Sequence, residues 1–313
     1  MTKSAWKRVG VSLTAVALVA GVAGCQSGEG EKKKATGGSE KPQTQSREAV
    51  TQVLTAAYKK TAAAKSAKVH MTMEMPAGVK GGDGDMEVTG TMGWDPTVMD
   101  MTMKGEAFEA EPGAPEQVRM VWLDNVMYMD MGAKQAKEMD GKRWVKMDLG
   151  KMAELSGDKA IQKQMTGNLE SMNQDPAQQL AMLLESPNLK HVGPAKVDGV
   201  ETQHYKGTLT LEEMMKTNKQ FTSLKEQERK KLTENMKKAG VKGYDTEVWV
   251  NEDEYPVRMN IGMDTPEGKI KVVAKYSDYG SKATVTPPPA GETVDLMEMF
   301  KELSEGLKSA DKS

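Results

Sequence analysis

The chain has 313 residues, with 43 Lys and Arg against 45 Asp and Glu, for a formal net charge of −2. Neutralising phosphates takes a concentrated basic surface, so this balance argues against a nucleic-acid partner. Cys25 is the only cysteine, which excludes an internal disulfide, and 26 methionines against three phenylalanines point to apolar surfaces built from flexible thioethers.

The first residues read as an export signal. Lys3, Lys7 and Arg8 precede an apolar or small-residue run from Val9 to Ala23, too short for a comfortable membrane span. The run ends in Val22-Ala23-Gly24-Cys25, which resembles the lipobox of bacterial lipoproteins. That resemblance implies a diacylglycerol on the Cys25 thiol and cleavage of residues 1–24, where an ordinary signal would leave the Cys incidental. Cleavage removes three basic residues and no acid, leaving 40 against 45 and a net charge of −5. Residues 25–45 carry Gly, Ser, Lys, Glu and Thr with no large apolar side chain, the composition of a flexible tether.

A folded body is expected over 46–313. Ser46, Glu48 and the spacing Val50, Val53, Leu54, Ala57, Tyr58 predict a capped amphipathic helix to about Lys65. A strand meander follows from Lys68 to Leu149. Strands are expected over Val69–Met75, Asp85–Trp94, Thr97–Gly105, Val118–Leu123, Asn125–Met131 and Arg143–Asp148. Turns are expected at Gly78–Gly84, Asp95-Pro96, Asp124-Asn125 and Gly132–Gly141, with an acidic loop over Glu109–Pro115.

The period turns helical near 150–186, with Pro176 placed as a first helical residue after Asp175. Leu189–Val197 and Val200–Leu211 resume the hairpin pattern across Asp198-Gly199. A second helical insert near 211–239 is mostly charged and is stopped by Gly240. Tyr244–Asn251, Tyr255–Met263 and Lys269–Tyr279 are three more strands. Pro287-Pro288-Pro289 is expected to end the sheet, and Val294, Leu296, Met297, Phe300, Leu303 and Leu307 to space out a terminal helix. The expected class is α+β, with about ten strands in one mainly antiparallel sheet packed on helices as a single domain.

The closing strands carry a resemblance. Tyr244-Asp245-Thr246-Glu247-Val248-Trp249-Val250-Asn251, Tyr255-Pro256-Val257-Arg258-Met259 and Tyr276-Ser277-Asp278-Tyr279-Gly280, leading to Val285-Thr286-Pro287-Pro288-Pro289, resemble actinobacterial lipoproteins of the LppX/LprG type. The lipobox and the early helix match as well. The resemblance implies a LolA-like fold, an antiparallel β half-barrel over helices, with an apolar cavity that carries acylated lipids. The helical inserts and the abundance of Met lie outside it.

The residues that stand out are methionines alternating with polar neighbours. Val98-Met99-Asp100-Met101-Thr102-Met103-Lys104 has the two-residue period of a strand with one dry and one wet face, and similar rows recur elsewhere. Met71, Met73, Met75, Met86, Val88, Met92, Met99, Met101, Met103, Met127, Met129, Met131, Met259, Ile261 and Met263 are the candidate lining of one apolar face.

Three readings compete. The rows could fill a solid core, line a cavity for acyl chains, or bind Cu(I) through soft thioethers with His70 beside Met71 and Met73 as a nucleus. No His-Glu-x-x-His, Gly-x-Ser-x-Gly or phosphate-cradling loop occurs, and His70, His191 and His204 are not at metal-motif spacing. No catalytic residue, resident metal or cofactor is therefore expected.

The sequence reading is a membrane-anchored carrier of a lipid or glycolipid on the extracytoplasmic face of the cell membrane. A transporter or acceptor protein would be its partner. A Cu(I)-binding envelope protein and a solid-cored structural or signalling lipoprotein are the alternatives.

Overall fold

Alternation of apolar and polar residues over nine-residue runs builds the sheet, and short polar turns preserve its register. The computed structural model describes residues 45–76, 84–109, 115–155, 176–217, 225–238, 240–299 and 301. The expected export signal and tether, the loop at 77–83 and parts of both helical inserts lie outside the described residues.

Helix α1 (Arg47–Ala64) begins where the Ser46 hydroxyl accepts from Ala49 N at 3.3 Å, and ends as Lys65 turns left-handed. The strands β1 (Ser66–Glu74), β2 (Met86–Trp94) and β3 (Thr97–Gly105) follow. After the short α2 (Glu106–Glu109) come β4 (Gln117–Leu123), β5 (Val126–Asp130), α3 (Gly132–Glu138), β6 (Trp144–Asp148) and α4 (Leu149–Leu155).

The second half runs α5 (Pro176–Leu184), β7 (Lys190–Val197), β8 (Val200–Thr210), α6 (Leu211–Thr217) and α7 (Glu226–Lys238). It continues with β9 (Gly243–Asn251), β10 (Pro256–Thr265), β11 (Gly268–Ser277) and β12 (Thr293–Asp295). Asp124 and Asn125, at φ 52° and 62°, close one hairpin, while Asp198 and Gly199, at 49° and 89°, close another. These are the positive-φ pairs that a two-residue turn demands.

Among the described residues the twelve strands form one sheet in the order β12-β6-β5-β4-β3-β2-β1-β11-β10-β9-β8-β7. Two consecutive meanders, β1 to β6 and β7 to β11, meet along the antiparallel pair β1 and β11, with Val69 opposite Tyr276 and Met71 opposite Ala274. The architecture is the expected α+β, one large, mostly antiparallel sheet with helices.

Four local expectations change. The sheet does not end at the prolines, because Thr293–Asp295 pairs in parallel with β6, so Val294 is in a strand and not in a terminal helix. A helical turn covers 296–299 beyond it, and Leu303 and Leu307 lie outside the described residues. Within the turn expected at Gly132–Gly141, residues Gly132–Glu138 form α3, and the expected loop at Glu109 begins inside α2.

The tightest packing joins the two halves of the chain. Val50, Leu54 and Ala57 of α1 form one buried cluster with Leu180 and Leu183 of α5 and with Tyr205, Val248, Val250 and Met259 of the sheet. Gly207 lets α5 settle on β8, since a Cβ there would lie 2.6 Å from Ser186 Oγ and 2.9 Å from Leu183 Cδ1. A smaller cluster, Leu211, Met214 and Met215, seats α6, with Leu232 and Met236 of α7 packed against it.

Candidate functional site: an uncharged methionine face

Register decides whether alternating rows on separate strands share a face, because directly paired residues point to the same side of a sheet. Cross-strand pairing runs Met147–Met127–Trp122–Met99–Met92–Ala67 through β6, β5, β4, β3, β2 and β1. The neighbouring row is Val145–Met129–Met120–Met101–Gly90–Val69–Tyr276, and the next is Val118–Met103–Val88–Met71–Ala274–Met259–Val248–Tyr205. Met86, Met73, Val272 and Ile261 begin a fourth, and Met263 pairs with Ile270 and Tyr244.

Nearly every methionine singled out in the sequence therefore sits on one face. Met75 and Met131 are the exceptions: Met75 lies past the end of β1, and Met131 caps α3, so neither occupies a ladder position. The alternation was read one residue too far at each strand end.

From β6 to β9 the ladder positions on this face carry no Asp, Glu, Lys or Arg. The charges lie on the opposite face or in the turns. Arg119 holds Asp100 through two bonds of 2.8 and 2.7 Å, and its guanidinium titrates above its ordinary value because of that carboxylate. Arg143 to Asp130 at 2.6 Å, Lys275 to Asp198 at 2.8 Å and Lys269 to Asp245 at 2.6 Å repeat the pattern. The Lys269 ammonium keeps the Asp245 carboxyl below its usual range.

The uncharged face has two unlike halves. Across β8 to β10 it is sealed by α1 and α5, and Met259 is 1% exposed. Across β1 to β5 a second cluster gathers Val69, Met99, Met101 and Trp122, with Met71, Val88, Met92, Met127, Leu149 and Tyr276 packed against it. Here only Met99 and Met101 among the predicted lining residues are buried. Met71, Met73, Met86, Val88, Met92, Met103, Met127 and Met129 are partly buried, as are Ile261 and Met263.

Sequence reasoning missed Met120, Met147 and Trp122. In Met120-Val121-Trp122 an apolar residue of the opposite face, Val121, interrupts the visible alternation. Pairing of β4 with β3 was the missing signal.

Trp122 is 2% exposed and its indole Nε1 has no hydrogen-bond partner among the described residues. By contrast, Trp94 at the end of β2 donates its Nε1–H to Ala62 O of α1 at 3.2 Å.

His70 pairs with Thr89 and Lys275 on the opposite face, where its Nε2 lies 2.8 Å from Glu87. Successive strand residues point to opposite sides, so His70 and the thioethers of Met71 and Met73 do not converge on a metal. Among the described residues no group of three or more His, Cys, Asp or Glu gathers as metal ligands. The sheet's opposite face carries an open cleft of about 890 Å³ between Lys68, His70, Thr91 and Lys275 and the tip of the β7–β8 hairpin. Clefts of about 430 and 460 Å³ lie over β8 to β11 and beside α6. Methionine lines none of the three.

No family model matches the chain. Over 251 residues it is 30% identical to an uncharacterized 31.2 kDa protein of Streptomyces griseus from the rplA–rplJ intergenic region, covering 78% of each chain. It is 24% identical over 248 residues, 77% of this chain and 73% of the relative, to a Streptomyces coelicolor protein whose name proposes a lipoprotein. Among solved structures it is similar to lipoprotein LppX of Mycobacterium tuberculosis, with a TM-score of 0.43 and 13% identity, covering 77% of this chain and all of that one. LprF of Mycobacterium bovis gives 0.41 and 15%, covering 80% and 99%. LppX is a namesake of the family that the closing strands resemble; at these scores neither structure transfers a ligand or a role.

Proposed function

We propose, for a chain that belongs to the family of the Streptomyces griseus 31.2 kDa protein, a membrane-anchored lipoprotein that binds a lipid or glycolipid on its methionine face. The observation that carries this reading is the uncharged, partly buried half of that face across β1 to β5. Burying each methylene is worth about 0.8 kcal/mol, and unbranched thioethers adapt to acyl chains of different length and kink. The fully buried cluster under α1 and α5 supplies the rigid part of the fold, so the adaptable part is free to repack.

The remaining roles follow from the sequence. Cys25 is the lipidated anchor, residues 25–45 give reach, and the body presents its ligand on the extracytoplasmic side of the cell membrane. The name of the Streptomyces coelicolor relative supports the anchor. No covalent bond is made or broken in this scheme, and the ligand leaves by transfer to a membrane or an acceptor protein.

The test is mass spectrometry of organic extracts from a secreted Cys25→Ala form. A lipid present at about one per chain is expected. Extracts without lipid, from a protein that also takes up none when offered cell-envelope lipids in micelles, refute the proposal.

A further inference from the structure

We propose that helix α7 is a docking face for a bilayer surface rich in anionic phospholipid, a second membrane contact besides the Cys25 anchor. The docking is independent of any ligand on the methionine face. It takes from the lipoprotein reading only the nearness of a bilayer.

Charge is unevenly shared along this acidic chain. Residues 211–217, 225–238 and 240–242 carry eight Lys and Arg against five Asp and Glu, while the rest of the chain from Cys25 onward carries 32 against 40. Leu232 and Met236, one turn apart, pack α7 on the α6 cluster, which leaves Lys230, Lys231, Lys237 and Lys238 exposed on its outer side.

The acids are mostly occupied within the two helices. Glu213 and Glu228 accept from Thr210 N and Lys225 N at 2.8 and 3.1 Å, where α6 and α7 begin. Glu226 pairs with Lys230 at 2.9 Å and Glu212 with Lys237 at 3.3 Å. Lys231, Lys238 and Lys242 are exposed and, among the described residues, form no ion pair. A favourable end charge on the helix accounts for Lys237 and Lys238, but not for Lys231 or Lys242, which lie outside its last turn. Lys237 and Lys242 also stand with Glu212 in the wall of the open cleft of about 460 Å³ beside α6, room enough for a phospholipid's phosphate.

Placement favours a membrane as the partner. Arg47, the first residue of α1, donates to Ser186 O at 3.0 Å, and the Ser186 hydroxyl donates to Thr208 O at 2.9 Å, just before β8 passes into α6. The other end of α1 is at Lys65, paired with Asp95 in the β2–β3 turn at the opposite end of the sheet. The tether therefore joins the body toward the end that carries α6 and α7, and anchoring at Cys25 brings that end to the bilayer. Because the apolar side of α7 is already packed on the body, the contact is electrostatic and needs no insertion.

The experiment floats the secreted Cys25→Ala form, which has no acyl anchor, with phosphatidylcholine vesicles that contain either no phosphatidylglycerol or about 30% of it. The chain should bind the anionic vesicles alone, and raising the salt from about 0.1 M to about 0.5 M should release it. Each Lys near such a surface is worth roughly fivefold, so Lys231→Gln, Lys238→Gln and Lys242→Gln together should weaken binding about a hundredfold. Lys65→Gln, Lys196→Gln and Lys282→Gln remove the same charge from exposed positions at the other end of the sheet, and should weaken it less than about threefold. In the unmutated chain, bound anionic vesicles should shield Lys231 and Lys238 from an amine-acetylating reagent and leave Lys282 reactive.

Equal binding to both vesicle types, binding to neither, equal losses in the two triple variants, or unchanged acetylation of Lys231 and Lys238 overturns the docking face. None of these results touches the lipid sought in organic extracts, so the lipid-binding reading stands or falls separately. Should the α7 triple variant fail to fold, vesicle selectivity, salt release and acetylation in the unmutated chain decide the matter.

Discussion

Truncating one side chain in each half of the uncharged face separates a solid core from an adaptable lining. Leu54 is 0% exposed within the cluster of α1, α5 and the sheet. Leu54→Ala leaves a closed void there and should cost about 2–5 kcal/mol. Met71 packs against the Trp122 cluster but is only partly buried. Met71→Ala gives up part of a burial worth about 1.5–3 kcal/mol when complete, and its neighbours can move into the space, so about 1 kcal/mol is expected.

Urea unfolding followed by far-UV circular dichroism measures both. For a body of this size a slope near the top of the usual range, about 3 kcal/mol per molar, converts the costs into midpoint shifts of roughly 0.7–1.7 M for Leu54→Ala and roughly 0.3 M for Met71→Ala. Equal shifts would mean that the methionine half is packed as rigidly as the helix-covered half. The argument for a ligand on it would then fail.

Two further outcomes follow from particular contacts. A Cβ on Gly90 would lie 2.0 Å from the Asp100 carbonyl oxygen and 2.9 Å from Met101 Sδ, so Gly90→Ala should destabilise by about 1–3 kcal/mol in the same urea assay. His204 stacks on Trp249 at 4.2 Å, and its Nε2 is 3.7 Å from Glu247, beyond hydrogen-bonding distance. Desolvation lowers its pKa from the ordinary 6.5 despite that carboxylate. The folded chain thus holds His204 neutral where the unfolded chain takes up a proton. Its contribution is full above pH 6.5 and is lost as the pH falls below it, and His204→Gln should flatten the fall in thermal midpoint between pH 7 and 5.

Most strands were legible because alternation and turn chemistry are local. Val98–Lys104 and the positive-φ pairs at Asp124-Asn125 and Asp198-Gly199 placed β3 and two hairpins to within a residue or two. Strand β12 was not legible: three residues paired in parallel with β6 have no period of their own, and the prolines before them look like an end. That the methionine rows share one face depends on pairing offsets across every turn, which no single row contains. Trp122 was hidden for a sharper reason. Its place beside Met99 and Met127 comes from register, and the lack of an acceptor for its N–H comes from packing in three dimensions.

The join between the two meanders bears on the order in which the chain can fold. Helix α1 is made first, yet the partners that bury Val50, Leu54 and Ala57 come from α5 and from β8 to β10, late in synthesis. Domains ordinarily fold as units, beginning from the N-terminal side as they are made. Here the apolar stripe of α1 is not fully covered until β10 exists, and one edge of β1 waits for β11. Such a wiring postpones commitment to the native state until nearly the whole body has been made.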